Sequence, residues 1–236
     1  MERTKGTTTP LPRVRHLLVV CAHPYDATFA MGAAVSAFAD ARTSVDVLCL
    51  THGRRPDRGT TRRLARARDL GEAARVLGAH EVTFLEHDAG ELAAVPLEHL
   101  TDEIVLVADA ADALMVVDAR GPEAHEDHVR TMHAAFQAAE ILDDPLYGWT
   151  LVPPPPGEDD PGSDMVVTIE VDRDRQSDAI DCHRDLPADD PIRDRWRAHR
   201  GPREHLTVLR PERSREAAGN SGTTQARDHS SERSRA

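Results

Sequence analysis

No stretch of the 236-residue sequence approaches the roughly 20 consecutive apolar residues that a membrane-spanning helix needs, so no membrane partner is expected. The opening segment, MERTKGTTTPLPRVRH, has no apolar core ahead of the first hydrophobic run, and no secretory signal is expected. Cysteine is scarce. Cys21, Cys49 and Cys182 form neither a C-x-x-C pair nor a metal knuckle. Cys21 and Cys49 lie inside apolar runs and read as small buried hydrophobes, which makes a reducing cytoplasm the expected location. An excess of positive charge is also missing, since 29 basic residues face 41 acidic ones for a net charge of −12. Coating nucleic acid requires a clustered positive field, so no nucleic-acid partner is expected. The arginine-rich stretch from Arg54 to Arg68 is a local exception.

Apolar residues are also rare at both ends. Residues 1–12 and 211–236 are polar and cannot bury enough surface to offset the entropy of ordering, which predicts disorder there. Residues 152–164 (VPPPPGEDDPGSD) are rich in proline and acid and predict an extended, exposed connector.

Between these marks the pattern alternates. HLLVVCA (16–22) is a continuous apolar run, as in a strand buried on both faces. Residues 27–42 have helical composition, and VDVLCLT (45–51) is a second buried strand. A helix over 60–78 places Leu64, Ala67, Leu70, Ala74 and Leu77 on one face, with Gly78 as its stop. A strand at 81–86, a helix at 95–109, a strand at 111–119 and a helix at 125–142 follow. Beyond the connector, 165–171 and 204–210 read as strands, with helical stretches near 173–184 and 190–199. Strands alternating with helices predict an α/β fold, a Rossmann-like doubly wound and mostly parallel sheet. The expected domain spans residues 13–210 and includes a small C-terminal extension.

In such sheets ligands bind beyond the carboxyl ends of the strands, so two loops carry the chemistry. The loop after the first strand reads Ala22-His23-Pro24-Tyr25-Asp26, and the segment after the fourth ends in His125-Glu126-Asp127-His128. Two imidazoles and a carboxylate form a hydrolytic zinc set with one coordination position left for water. Either motif alone is weak, because a helix start explains His-x-x-His equally well and Asp127 would favour the helix dipole. Their coincidence at the expected strand ends carries the argument. A nucleotide-binding alternative needs a G-x-G-x-x-G turn after the first strand, and Ala22-His23-Pro24-Tyr25-Asp26-Ala27 lacks it.

These motifs resemble those of the PIG-L or LmbE-like zinc-dependent N-deacetylases, whose members carry A-H-P-D-D-E or a related first motif and H-x-D-H after the fourth strand. Supporting matches are Thr51-x-Gly53, Arg66-x-x-Asp69, Ala73 to Gly78, Asp88 with Gly90, and Ala179 to His183. The resemblance covers residues 15–210. It implies one Zn²⁺ held by His23, Asp26 and His128, an oxyanion-stabilising His125, and Asp127 orienting a neighbouring imidazole. It also implies Arg66 and Asp88 as substrate-binding residues and a small N-acylated partner, such as an amino sugar, as substrate. Bland readings compete for both: an Arg66–Asp69 surface pair, and Asp88 as a loop cap.

The departure is at Tyr25, which stands where the family has its general-base aspartate. A tyrosine of ordinary pKa about 10 is a poor base at neutral pH, and loss of a positioned base costs roughly 10²–10⁴ in rate. Glu123 and Glu126 flank the second motif as alternative carboxylates, although acidic residues at a helix start have an ordinary role. Two functions follow. One is a zinc hydrolase of N-acyl amides with an altered proton path that includes Tyr25. The other is a degenerate member that binds a metal and a small molecule or partner without turnover.

Overall fold

The computed structural model describes residues 9–53, 60–121, 124–151, 165–199 and 201–211. The predicted connector at 152–164, residues 1–8 and residues 212–236 lie outside the described residues. Seven strands form one sheet: β1 (His16–Cys21), β2 (Ser44–Thr51), β3 (Glu81–His87), β4 (Ala113–Val117), β5 (Leu146–Thr150), β6 (Val166–Glu170) and β7 (Arg203–Arg210). Among the described residues six α-helices connect them: α1 (Gly32–Asp40), α2 (Thr60–Leu77), α3 (Leu97–Val107), α4 (Glu126–Leu142), α5 (Asp174–Asp181) and α6 (Pro191–His199).

The strand order is β3-β2-β1-β4-β5-β7-β6. The pairings from β3 through β5 are parallel, and β7 pairs antiparallel with both β5 and β6. The C-terminal segment therefore completes the same sheet. β1 lies inside the sheet between β2 and β4, and its side chains alternate between two cores. Leu17, Val19 and Cys21 face the layer of α1, α2 and α5, while Leu18 and Val20 face α3 and α4. The chain winds from β1 outward through β2 to β3, then returns to place β4 on the other side of β1. That reversal opens a crevice at the carboxyl ends of β1 and β4, where the two chemical loops emerge.

Four local features differ from the sequence reading. The helix expected over 27–42 is split: a π-helical turn at Asp26–Ala30 precedes α1. Asp26 is the first residue of that turn and is buried. Leu64 is two-thirds exposed, not core. Arg66 and Asp69 are buried there instead, against the loop after α5. β5 was not anticipated, since LYGWT is short and interrupted by Gly148. Finally, Thr9 N–H donates to the Thr168 carbonyl at 2.8 Å and Leu11 packs on the core, so residues 9–12 lie against the sheet. Gly78 ends α2 as expected, with φ of 91°.

Gly148 permits the parallel-to-antiparallel junction. A Cβ there would come within 2.8 Å of Leu209 Cδ1 and 3.1 Å of Asp118 Cβ. Gly148→Val is expected to destabilise the fold by about 1–3 kcal/mol through overpacking, read as a lower urea midpoint with an unchanged slope.

Candidate metal centre

The turn after β1 is closed on itself. Asp26 N–H donates to the His23 carbonyl at 3.1 Å, and His23 N–H donates to Asp26 Oδ2 at 2.8 Å. This leaves Asp26 Oδ1 facing His128 Nε2 at 3.1 Å, across 102 residues of sequence. His128 lies in the first turn of α4, whose N-cap is His125: its Nδ1 accepts from Asp127 N–H at 3.1 Å. An accepting Nδ1 puts the neutral ring's proton on Nε2, as a donor.

Asp127 is buried at 1% exposure and binds three groups. Its carboxylate accepts from His23 Nε2 at 2.7 Å, Gly90 N–H at 2.6 Å and Leu92 N–H at 3.2 Å. With Nε2 so engaged, His23 has Nδ1 left for a cation. The rings of His23, His125 and His128 lie 5.2–5.8 Å apart, centre to centre. One donor atom each from His23, Asp26 and His128 falls within 4.8 Å of the others. Zinc bonds of about 2.0–2.2 Å in a tetrahedron need donors roughly 3.3–3.6 Å apart, so a small inward movement lets the three side chains share one ion. A second grouping, His23, His125 and Asp127, shares only His23 with the first and contains the His23–Asp127 bond.

The electrostatics match this arrangement. Burial opposes the charge on Asp26, but His128 and His23 overcome it and hold the carboxyl below its ordinary range. Burial also opposes the charge on His128, yet Asp26 and then Asp127 raise its pKa above the usual value. Asp127 is held low, against burial, by His23 and the Gly90 and Leu92 amides. Cys21 and Cys49, buried beneath Asp26, have their thiols pushed up by burial and remain neutral.

Tyr25 lines the crevice, but its hydroxyl is committed elsewhere. It donates to Asp185 Oδ2 at 2.7 Å, and Arg66 Nε donates to the same oxygen at 2.9 Å. Burial first, and the Asp185 carboxylate second, push the phenol well above its ordinary pKa. Arg66 is thus placed behind Tyr25, with Nη1 on the His52 carbonyl at 3.3 Å. The Arg66–Asp69 pairing is replaced, since Asp69 is engaged by Arg68 and Arg184. Asp88 is exposed in a turn that its carbonyl closes on Glu91 N–H, and the next two residues, Ala89 and Gly90, line the cavity instead. Glu126 is exposed, and Glu123 lies outside the described residues.

Two cavities meet at Asp26, His128 and Tyr25. The larger, about 460 Å³, also holds His23 and His125 and is walled by Asp190 and Leu186. The smaller, about 280 Å³, is apolar, with Phe29, Trp149, Leu151 and Trp196 above a buried Arg173–Glu204 ion pair. The sequence reading missed Asp185, Asp190, the two tryptophans and this pair. Their only local signal was the acidic run around Asp185, Asp189 and Asp190, which reads as a solvated loop.

His183 closes the back of the site. Its Nε2 lies 2.9 Å from Thr28 Oγ1, which itself donates to the Tyr25 carbonyl, so the ring must be the donor. Burial lowers its pKa to about 4. Between that value and about 6.5 the unfolded chain binds a proton that the folded chain refuses, so stability falls as pH falls through the window. Unfolding free energy is expected to drop by roughly 2–3 kcal/mol between pH 7 and 4.5 from this residue, and the slope to flatten in His183→Gln. Denaturant titrations of both proteins across that range check it. The low-lying Asp26, Asp127 and Asp185 carboxyls act only below about pH 4, outside the window.

A family model for GlcNAc-PI de-N-acetylases (PIG-L) matches residues 18–139. No curated protein matches. Among solved structures, N,N'-diacetylchitobiose deacetylase from Pyrococcus horikoshii shares 19% identity at a TM-score of 0.61, covering 78% of this chain and 75% of its own. The zinc-inhibited form of teicoplanin deacetylase Orf2 gives 17% and 0.60, covering 84% and 100%. GalB, the 4-carboxy-2-hydroxymuconate hydratase from Pseudomonas putida KT2440, gives 19% and 0.60, covering 84% and 97%. At these identities the likeness is one of fold.

Proposed function

Because the chain belongs to the GlcNAc-PI de-N-acetylase (PIG-L) family, we propose that it is a zinc-dependent hydrolase that cleaves an N-acyl amide of an amino sugar or related small molecule. The observation that carries this reading is the convergence of His23, Asp26 and His128 donor atoms within 4.8 Å, at the wall of a cavity about 460 Å³ in volume. Two imidazoles and one carboxylate are a donor set that suits zinc, and the depressed Asp26 carboxyl keeps its ligand oxygen ionised. When bound, zinc supplies an activated water and polarises the acyl carbonyl.

The protein's own groups divide the remaining work. Asp127 engages Nε2 of the His23 ring, so that Nδ1 would be the atom to hold the cation. His125 presents its Nε2–H to the cavity as a donor for the developing oxyanion. Tyr25, held as a donor by Asp185 and Arg66, shapes the wall and takes no proton. The proton acceptor in this reading is Asp190, which besides Asp26 is the carboxylate lining the larger cavity among the described residues. Arg66 acts through Asp185 on Tyr25 and does not touch the substrate.

A second reading, a metal-binding member without amide turnover, is favoured by the same Tyr25 geometry, since the usual position for a base carries a locked donor. The likeness to a hydratase is a reminder that one scaffold hosts more than one reaction.

Zinc content and acetate release from N-acetylated amino sugars test the proposal together. Wild type is expected to retain zinc and hydrolyse, and His128→Ala to lose both. Asp127→Asn should weaken zinc affinity by roughly 10–100-fold. Asp190→Asn should keep zinc while kcat falls by about 10²–10⁴, and Tyr25→Phe should change kcat little. Zinc-loaded wild type that is inert toward N-acyl amides, together with activity gained by Tyr25→Asp, would establish the second reading instead.

A further inference from the structure

A second group of metal-type side chains stands at the opposite end of the β3 loop and shares no residue with the centre described above. His87 is the last residue of β3, and His99 and Glu103, four residues apart, share one face of α3. His87 Nε2 lies 2.6 Å from Glu103 Oε2, and His99 Nε2 lies 3.7 Å from the other carboxylate oxygen. The two rings stand edge to face with centres 6.0 Å apart. One donor atom from each of the three residues lies within 4.8 Å of the others.

We propose that His87, His99 and Glu103 form a peripheral site for a borderline transition-metal cation of the zinc class. The donor set decides the class. Two imidazole nitrogens and one carboxylate suit zinc, nickel or copper, whereas calcium and magnesium require a shell of oxygens. Access is open, because the His99 side chain is 59% exposed while His87 and Glu103 are partly covered. An ordinary His87–Glu103 hydrogen bond would tie β3 to α3 without help. The third ligand is what a simple tie does not need: His99 turns the same nitrogen toward the same carboxylate.

The position gives the site a consequence. The loop it anchors runs directly from His87 to Gly90 and Leu92, whose amides donate to Asp127. Asp127 in turn holds His23. A cation joining β3 to α3 restrains both flanks of that loop, and so stabilises the donors that set the His23 ring.

The test uses the full chain carrying His128→Ala, stripped with chelator, so that the first centre is disabled and the two proposals fail separately. Zinc titration followed by calorimetry is expected to find one remaining ion, and cobalt to give visible d–d absorption. Adding His99→Ala, an exposed position whose loss leaves the circular dichroism unchanged, should weaken that ion by more than the roughly 10–100-fold that losing an outer partner costs, and abolish the cobalt band. Glu103→Gln in the same background should do likewise. Identical titrations with and without His99, or no ion bound by the His128→Ala chain, overturn the proposal.

Discussion

One buried carboxylate holds the centre together. Asp127 comes from the first turn of α4, accepts from a side chain in the β1 loop and from two backbone amides in the β3 loop, and so ties three separate segments into one geometry. A charge with almost no exposure to water is stable only when its lone pairs are occupied. Three donors meet that requirement, and in meeting it they set the ring of His23. The orientation of the His23 ring therefore follows from satisfying a buried anion. The loops cannot shift independently without leaving that anion short of a partner.

The fold was largely legible because its signals are strong ones. Four buried strands alternating with helices left little choice of topology, and the apolar run from Leu17 to Cys21 announced a strand covered on both faces. Placing His23 and His128 in one crevice followed from where strand ends lie in such a sheet. What stayed hidden depended on tertiary contacts. LYGWT is too short to declare itself as β5, since its strand character comes from pairing on both edges. The π-helical turn at Asp26–Ala30 has no compositional mark. The bond from Arg66 to Asp185 could not be read from the sequence, because the two residues are 119 positions apart.

Tyr25 illustrates how a substitution can be read differently once its neighbours are known. In the sequence it is a missing base. In the fold it belongs to a closed chain of bonds in which Arg66 holds Asp185 and Asp185 holds the phenol. Such a chain commits the hydroxyl to Asp185 and sets the ring as a wall shared by two cavities. The change at this position therefore alters the shape and the polarity of the crevice at once.

The antiparallel turn of the sheet at β7 has its own consequence for how the molecule is made. Glu204, on β7, and Trp196, on α6, form part of the smaller cavity, and β7 reaches its partner β5 across a separation of 55 residues at Trp149 and Glu204. On a ribosome, the β1 loop with His23 and helix α4 with His128 emerge long before that last strand does. The half that carries His23 and His128 is thus made while its lateral wall is still being synthesised, and the chamber acquires its final volume only as the closing strand docks.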